Sequence, residues 1–208
     1  MAGVVAPSPE AGSKPAQILE AAGKLFLENG YGAVSMDNVA KTANVSKATL
    51  YAHFRSKDEL FAAMVACECR DQMGALSCDE VSRMEVADAL RLVARRFMKL
   101  VLSGKALAAY RVVVAEAHRF PELARAFYES GPARSHEQLA AYLREADRRG
   151  ALRIPDADLA AEQFFGLLKA HIHTRFILCI ENTISEAELE RFIEAAVNLF
   201  TKGYAAAP

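Results

Sequence analysis

Residues 35–57 read SMDNVAKTANVSKATLYAHFRSK. Two short helices, about 36–42 and 47–54, account for this stretch, joined by Ala43-Asn44-Val45. Ser35 can cap the first helix, because its hydroxyl accepts a hydrogen bond from a free backbone N–H of the opening turn. Asn44 stands where a tight turn needs a positive φ, a conformation Asn tolerates better than most residues. The pattern is that of a helix-turn-helix, whose second helix enters the major groove of DNA.

The second helix divides into faces when projected at about 100° per residue with Lys47 at zero. Leu50 falls near ~300° and Phe54 near ~340°, four residues apart, and together they anchor the helix to a core. The opposite face holds Ala48, Thr49 and Ala52. All are small, so the backbone can approach base edges closely. Thr49 offers a hydroxyl to a base and a methyl to thymine. Tyr51 and His53 lie on the two flanks, about 80° either side of the buried line. Their natural partners there are phosphates.

Local charge agrees with this reading. Lys41, Lys47, Arg55 and Lys57 fall within residues 41–57, which hold no Asp or Glu. Lys57 also opens the next helix, where free N–H groups and the helix dipole favour phosphate. The chain as a whole gives no such hint: 25 Lys and Arg oppose 26 Asp and Glu, for a formal net charge of −1. That balance excludes a polycationic or acidic-tail protein and points to binding through placed residues rather than bulk attraction.

Outward from this segment, the sequence reads as an all-α fold of about nine helices with no convincing strand. Residues 14–29 carry a helical stripe of Ile18, Leu19, Ala22, Leu25 and Phe26, ended by Asn29-Gly30. Ser56-Lys57-Asp58-Glu59 and Ser185-Glu186-Ala187-Glu188 have the form of capping boxes. The former starts a helix running toward Cys78. Beyond residue 80 the helices lengthen: 86–102, 106–118, one opened by Pro121, 136–149, 156 to about 179, and one from 185. The expected division is a leader over 1–11 (with Pro and Gly), a helix-turn-helix unit over 12–72, and a larger helical unit over 80–204. No stretch reaches the ~18 apolar residues of a membrane span, and residues 1–13 do not read as a secretory signal. A cytoplasmic protein with no membrane partner is expected. Cys67, Cys69, Cys78 and Cys179 have no metal-ligand spacing, and no metal or other cofactor is expected.

Ile18 to Phe26 with Asn29-Gly30-Tyr31, Ser35 to Val39, Val45-Ser46, Leu50-Tyr51, His53-Phe54 and Lys57-Asp58-Glu59-Leu60 together resemble the tetracycline-repressor-like (TetR/AcrR) family. The resemblance covers roughly residues 12–72 and implies DNA contacts at Ser35, Lys47, Ala48, Thr49, Tyr51, His53 and Lys57. Two departures are Asn44, where the family usually has Gly, and Ala48, which lacks a side chain at a position that often reads bases. The segment from Glu116 to Ala124, with Phe127-Tyr128 and Gly131-Pro132, looks like one recurrent C-terminal type of the family.

The resemblance further implies a homodimer on a pseudo-palindromic double-stranded operator and a repressor released by a small, lipophilic or aromatic effector. Effector-lining candidates are Phe97, Leu100, Tyr110, Val114, Phe127, Phe165 and His171. The apolar faces of the last two long helices give the expected dimer interface: Ala161, Phe165, Leu168, Ile172, Phe192, Ile193, Ala196 and Phe200. The competing reading is a DNA-binding dimer without a small-molecule effector. A helical enzyme has no support, since no nucleophile–base pair, Gly-rich phosphate loop or metal cluster is visible.

Overall fold

A computed structural model describes residues 9–10, 12–73 and 84–205. Among them are ten helices and no strand: α1 (Lys14–Asn29), α2 (Met36–Thr42), α3 (Lys47–His53), α4 (Lys57–Met73), α5 (Val86–Val101), α6 (Gly104–Glu116), α7 (Pro121–Ser130), α8 (Pro132–Arg148), α9 (Ala157–Ile177) and α10 (Glu186–Gly203). The expected all-α architecture is present. Residues 1–8, most of the leader, and Cys78 lie outside the described residues.

Local chemistry sets the helix ends. Ser13, Ser35, Ser46 and Ser185 each accept a backbone N–H as N-caps. Gly30 (φ 78°) closes α1 with its N–H bonded to Phe26 O. Only half of each expected capping box forms as drawn. Ser56 Oγ accepts Glu59 N, but the Glu59 carboxylate takes the N–H of Arg55. Ser185 Oγ accepts Glu188 N, while the Glu188 carboxylate lies 4.0 Å from Arg175. Helix α8 starts at Pro132, four residues before the expected start. Pro suits a first turn, where its missing N–H costs nothing.

The chain groups into two compact units that do not follow sequence order. One comprises Met1–Asp71 with Ala108–Gly131, the other Gln72–Leu107 with Pro132–Pro208. In the first, Ile18, Ala22, Phe26, Val39, Leu50, Leu60 and Phe61 form a core that also takes in Val113 of α6 and Leu123 of α7. Aromatic rings sit at its centre: Tyr31 stacks on Phe26 at 5.4 Å and meets Phe61 edge-on at 5.8 Å.

In the second unit, α9 packs against α5, α8 and α10. Phe97 meets Phe165 at 4.3 Å and Phe164 meets Phe200 at 5.0 Å. Arg95 binds Glu190 through two 2.7 Å bonds, and Arg91 binds Glu194 at 2.6 Å, joining α5 to α10.

This packing places the expected interface residues mostly inside the protomer. Ala161, Phe165, Leu168, Ile172, Ile193, Ala196 and Phe200 are buried within the protomer, and Phe192 is half-buried. The apolar faces of α9 and α10 are spent on the chain's own core. The face that α9 leaves open carries Leu159, Gly166 and Ala170, and that of α10 carries Ala195 and Leu199. Helix α9 is also interrupted where a continuous helix was expected, at Ala170 (φ 28°, ψ −138°). A positive φ is strained for any residue with a Cβ.

His173 lies beyond that break. Burial, and then the charge of Lys169, hold its imidazole below the ordinary value. An unfolded chain binds this proton near pH ~6.5, the native chain only at lower pH. Above that range neither state is charged and His173 costs nothing. As pH falls through ~6.5 the unfolded state takes up the proton first, so stability falls, levelling off below the native pKa. Urea midpoints measured from pH 7.5 to 5 are expected to drop more steeply for the unaltered protein than for His173→Gln. Parallel lines would remove His173 as a source of the pH dependence.

Candidate nucleic-acid interface

Helices α2 and α3 meet through a turn in which Asn44 has φ 52°, the left-handed conformation expected there. The Val45 N–H returns to Ala40 O at 3.0 Å, and Ala43 N to Val39 O at 2.8 Å, so backbone bonds fix the angle between the helices. Leu50 is fully buried and Phe54 nearly so. The opposite side of α3 is open: Lys47, Ala48, Tyr51, Ala52 and His53 are exposed and Thr49 half-exposed. At 49% exposure, Tyr51 is a large aromatic side chain facing solvent. A helix that is small-sided at its centre and flanked by hydrogen-bonding groups is shaped to enter a major groove.

Four expected contacts are engaged within the protein. Lys47 Nζ lies 2.6 Å from Asp37 Oδ2, an exposed pair that phosphate can displace at little cost. Thr49 Oγ1 shares a 2.8 Å hydrogen bond with Ser46 Oγ. Ser35 is exposed at the start of α2, its Oγ accepting Asn38 N at 3.1 Å.

Lys57 is held most closely. Its Nζ donates to Tyr31 O at 2.9 Å and Val34 O at 3.0 Å, and stands 4.2 Å from the Tyr31 ring. Burial lowers its pKa, opposed by the charges of Asp58 and Glu116. Tyr31 donates its hydroxyl to Asp58 Oδ1. Burial, then that carboxylate, pushes the Tyr31 phenol far above its usual range. The charge patterning of residues 41–57 could not show this use of Lys57, because its partners are backbone carbonyls more than twenty positions away.

The effector-lining candidates fall into two sets. Phe97, Leu100, Phe165 and His171 belong to the second unit, Tyr110, Val114 and Phe127 to the first. The structure pairs Phe97 with Phe165, and Tyr110 with Phe127 at 6.1 Å. Val114 and His171 are exposed. Among the described residues, no group of three His, Cys, Asp or Glu could hold a metal, and no helix is long and apolar enough to cross a membrane.

Known proteins share this arrangement. Residues 18–64 match the family described as bacterial regulatory proteins, tetR family, and residues 88–206 match the AefR-like transcriptional repressor C-terminal domain. The flavonoid-responsive regulator FrrA is 38% identical over 95% of this chain and all of its own, with a TM-score of 0.77. A TetR-family regulator from Mesorhizobium loti MAFF303099 is 32% identical over 92% of this chain and 96% of its own, with a TM-score of 0.79. Matches to curated relatives are local. The regulator YhgD of Bacillus subtilis (strain 168) is 59% identical over 44 residues, 21% of this chain and 23% of that protein. The activator FasR of Mycolicibacterium smegmatis is 49% identical over 49 residues, 24% of this chain and 22% of that protein.

Proposed function

The chain belongs to the TetR family of DNA-binding transcriptional regulators, and from that premise we propose that it is a homodimeric repressor of a pseudo-palindromic operator, released by a small aromatic effector. The observation that carries the DNA-binding part is the open face of α3, with Ala48 and Ala52 at its centre and Lys47, Tyr51 and His53 around them. Lys47, Tyr51 and His53 meet phosphates. Ala48 and Thr49 face the bases, Thr49 through its methyl while its hydroxyl stays with Ser46. Ser35 meets the backbone at the start of α2.

Two copies must present two such helices about one DNA turn, ~34 Å, or a multiple apart. The open faces of α9 and α10 are the surface for that pairing. A Cβ added at Gly166 would meet nothing within 4 Å, and Leu199 is 61% exposed, so neither serves packing inside the protomer. Paired across a two-fold axis, α9 and α10 form a four-helix bundle.

The likeness to a flavonoid-responsive regulator over its whole length supports an aromatic effector. The buried Phe97–Phe165 pair is an aromatic site against which such a ring would stack where the core of the second unit opens to admit it. An effector releases DNA only in so far as it binds the DNA-incompetent state more tightly.

Footprinting on the intergenic DNA upstream of the protein's own gene tests this reading. Two protected half-sites related by a dyad are expected, with protection lost on adding a flavonoid. Protection of scattered sequence would sink the operator, and protection indifferent to flavonoids would favour a dimer without such an effector. In the same binding assay Lys47→Met is expected to weaken binding to all sequences alike and to reduce the slope of log K against log salt by about 1.8, the loss of one phosphate contact from each protomer of the dimer. Tyr51→Phe is expected to weaken binding without altering sequence preference. A changed preference would make Tyr51 a base reader.

A further inference from the structure

We propose that the effector site includes an anion subsite at Lys169: the effector is an aromatic acid whose ring lies against Phe165 and whose ionised oxygen, carboxylate or phenolate, pairs with the Lys169 ammonium one helical turn away. The proposal rests on the aromatic-effector reading above and narrows it to acids.

Residues 163–180 hold Lys169, His171, His173 and Arg175 and no Asp or Glu. On α5, which packs against α9, no Asp or Glu follows Asp88. Lys169 therefore stands where both helices are short of counter-charge. The arginines of the same unit are placed differently. Arg91, Arg95, Arg144 and Arg175 each bind a carboxylate at 2.6–2.7 Å. Lys169 is half-buried, and among the described residues it makes no ion pair. Burial lowers its pKa, with no carboxylate opposing the shift. Its charge is felt instead by His173, whose imidazole is held down by burial and then by Lys169. Removing an ammonium from water without a partner is unfavourable, and an entering anion offsets that cost. In a half-enclosed place the pair is worth more than at the open surface, where water and salt screen it.

Spacing ties this cation to the aromatic pair. Phe165 and Lys169 are four residues apart on the regular part of α9, so they share one face with Cβ atoms about 5–6 Å apart. Phe165 meets Phe97 of α5 at 4.3 Å. A ring bound against this pair brings an acidic group on its edge within reach of the long lysine side chain. The next residue, Ala170, carries the broken backbone (φ 28°, ψ −138°), so the regular helical face ends there. Backbone strain of this kind persists only where the surroundings hold it, and it clusters at ligand sites. A lysine that merely lays its stem along the core with its head in water would be indifferent to the charge of a ligand.

Three flavones separate the two roles of Lys169. The full-length protein is titrated calorimetrically at pH 7.5 with flavone-7-carboxylate, 7-hydroxyflavone and 7-methoxyflavone, alongside Lys169→Met and Lys169→Arg. The two acids are expected to bind the unaltered protein about tenfold more tightly than 7-methoxyflavone. A preference for one acid alone also supports the subsite and identifies the oxygen it takes. Lys169→Met is expected to erase the preference while holding 7-methoxyflavone within about twofold of its original affinity, and Lys169→Arg to restore it. If Lys169→Met bound none of the three, Lys169→Arg would decide, by keeping the preference for acids or losing it.

The comparison in the unaltered protein needs no variant to fold. Equal affinity for all three flavones there would overturn the subsite and leave the aromatic effector in place. So would a preference for acids that survives in Lys169→Met. Binding of none of the three by a protein that still protects its operator would reject the aromatic effector, and the subsite with it.

Discussion

Leu199→Glu is expected to turn the proposed dimer into folded monomers, with operator affinity falling at least a hundredfold, about 2.7 kcal/mol or more. Leu199 is 61% exposed on the outer face of α10, so a carboxylate there is solvated in the separated protomer and costs its fold little. In a four-helix bundle the same carboxylate and its symmetry mate are removed from water, close together and unpaired, a penalty of several kcal/mol. Binding then suffers because two half-sites are no longer engaged as one event. Ile193→Glu is the informative contrast. Ile193 is fully buried inside the protomer, so the charge lands in the chain's own core and unfolds the second unit. Sedimentation and circular dichroism tell the two apart: a folded monomer for Leu199→Glu, loss of helix for Ile193→Glu. A Leu199→Glu variant that sediments as a dimer would move the interface away from this face.

Leu50→Ala is the second large effect. Leu50 is fully buried where α3 joins the core of the first unit, and truncating such a leucine costs about 2–5 kcal/mol. Helix α3 has seven residues, far short of the ~12–15 at which an isolated helix becomes even marginal in water. It exists because Leu50 and Phe54 tether it. Loss of that tether is expected to abolish specific operator binding and lower the urea midpoint, while the helices of the second unit persist in circular dichroism. Specific binding retained by a folded Leu50→Ala variant would show that the backbone turn alone, and not the buried side chain, orients α3.

Most of the open face of α3 was legible in the sequence because it is local. Asn44 marks a turn by its own conformational preference, Leu50 and Phe54 mark a buried line by spacing, and the small Ala48 and Ala52 lie opposite by arithmetic. Charge patterning treats every lysine as available, so it does not show that Lys57 bonds the carbonyls of Tyr31 and Val34. Whether an ammonium faces solvent or is enclosed by carbonyls depends on where a loop twenty-odd positions away has folded. The expected interface residues fall on the faces of α9 and α10 that pack within the protomer, for a related reason. Apolar residues at helical spacing record burial, and burial against one's own chain leaves the same mark as burial against a partner. Gly166, with open space around it, and the exposed Leu199 reveal the difference only when the rest of the protomer is in position.

The sequence alone determined the helices, their caps at Ser35 and Gly30, the positive-φ turn at Asn44 and the concentration of cations over 41–57. Each follows from interactions within a few positions along the chain. Tertiary structure decided that Val113 and Leu123 join the core of the first unit, that Glu116 reaches Gly32, that α9 breaks at Ala170, and which faces of α9 and α10 stay open. Those outcomes depend on which surfaces compete for the same partner in space, a competition that periodicity and charge along one chain do not record.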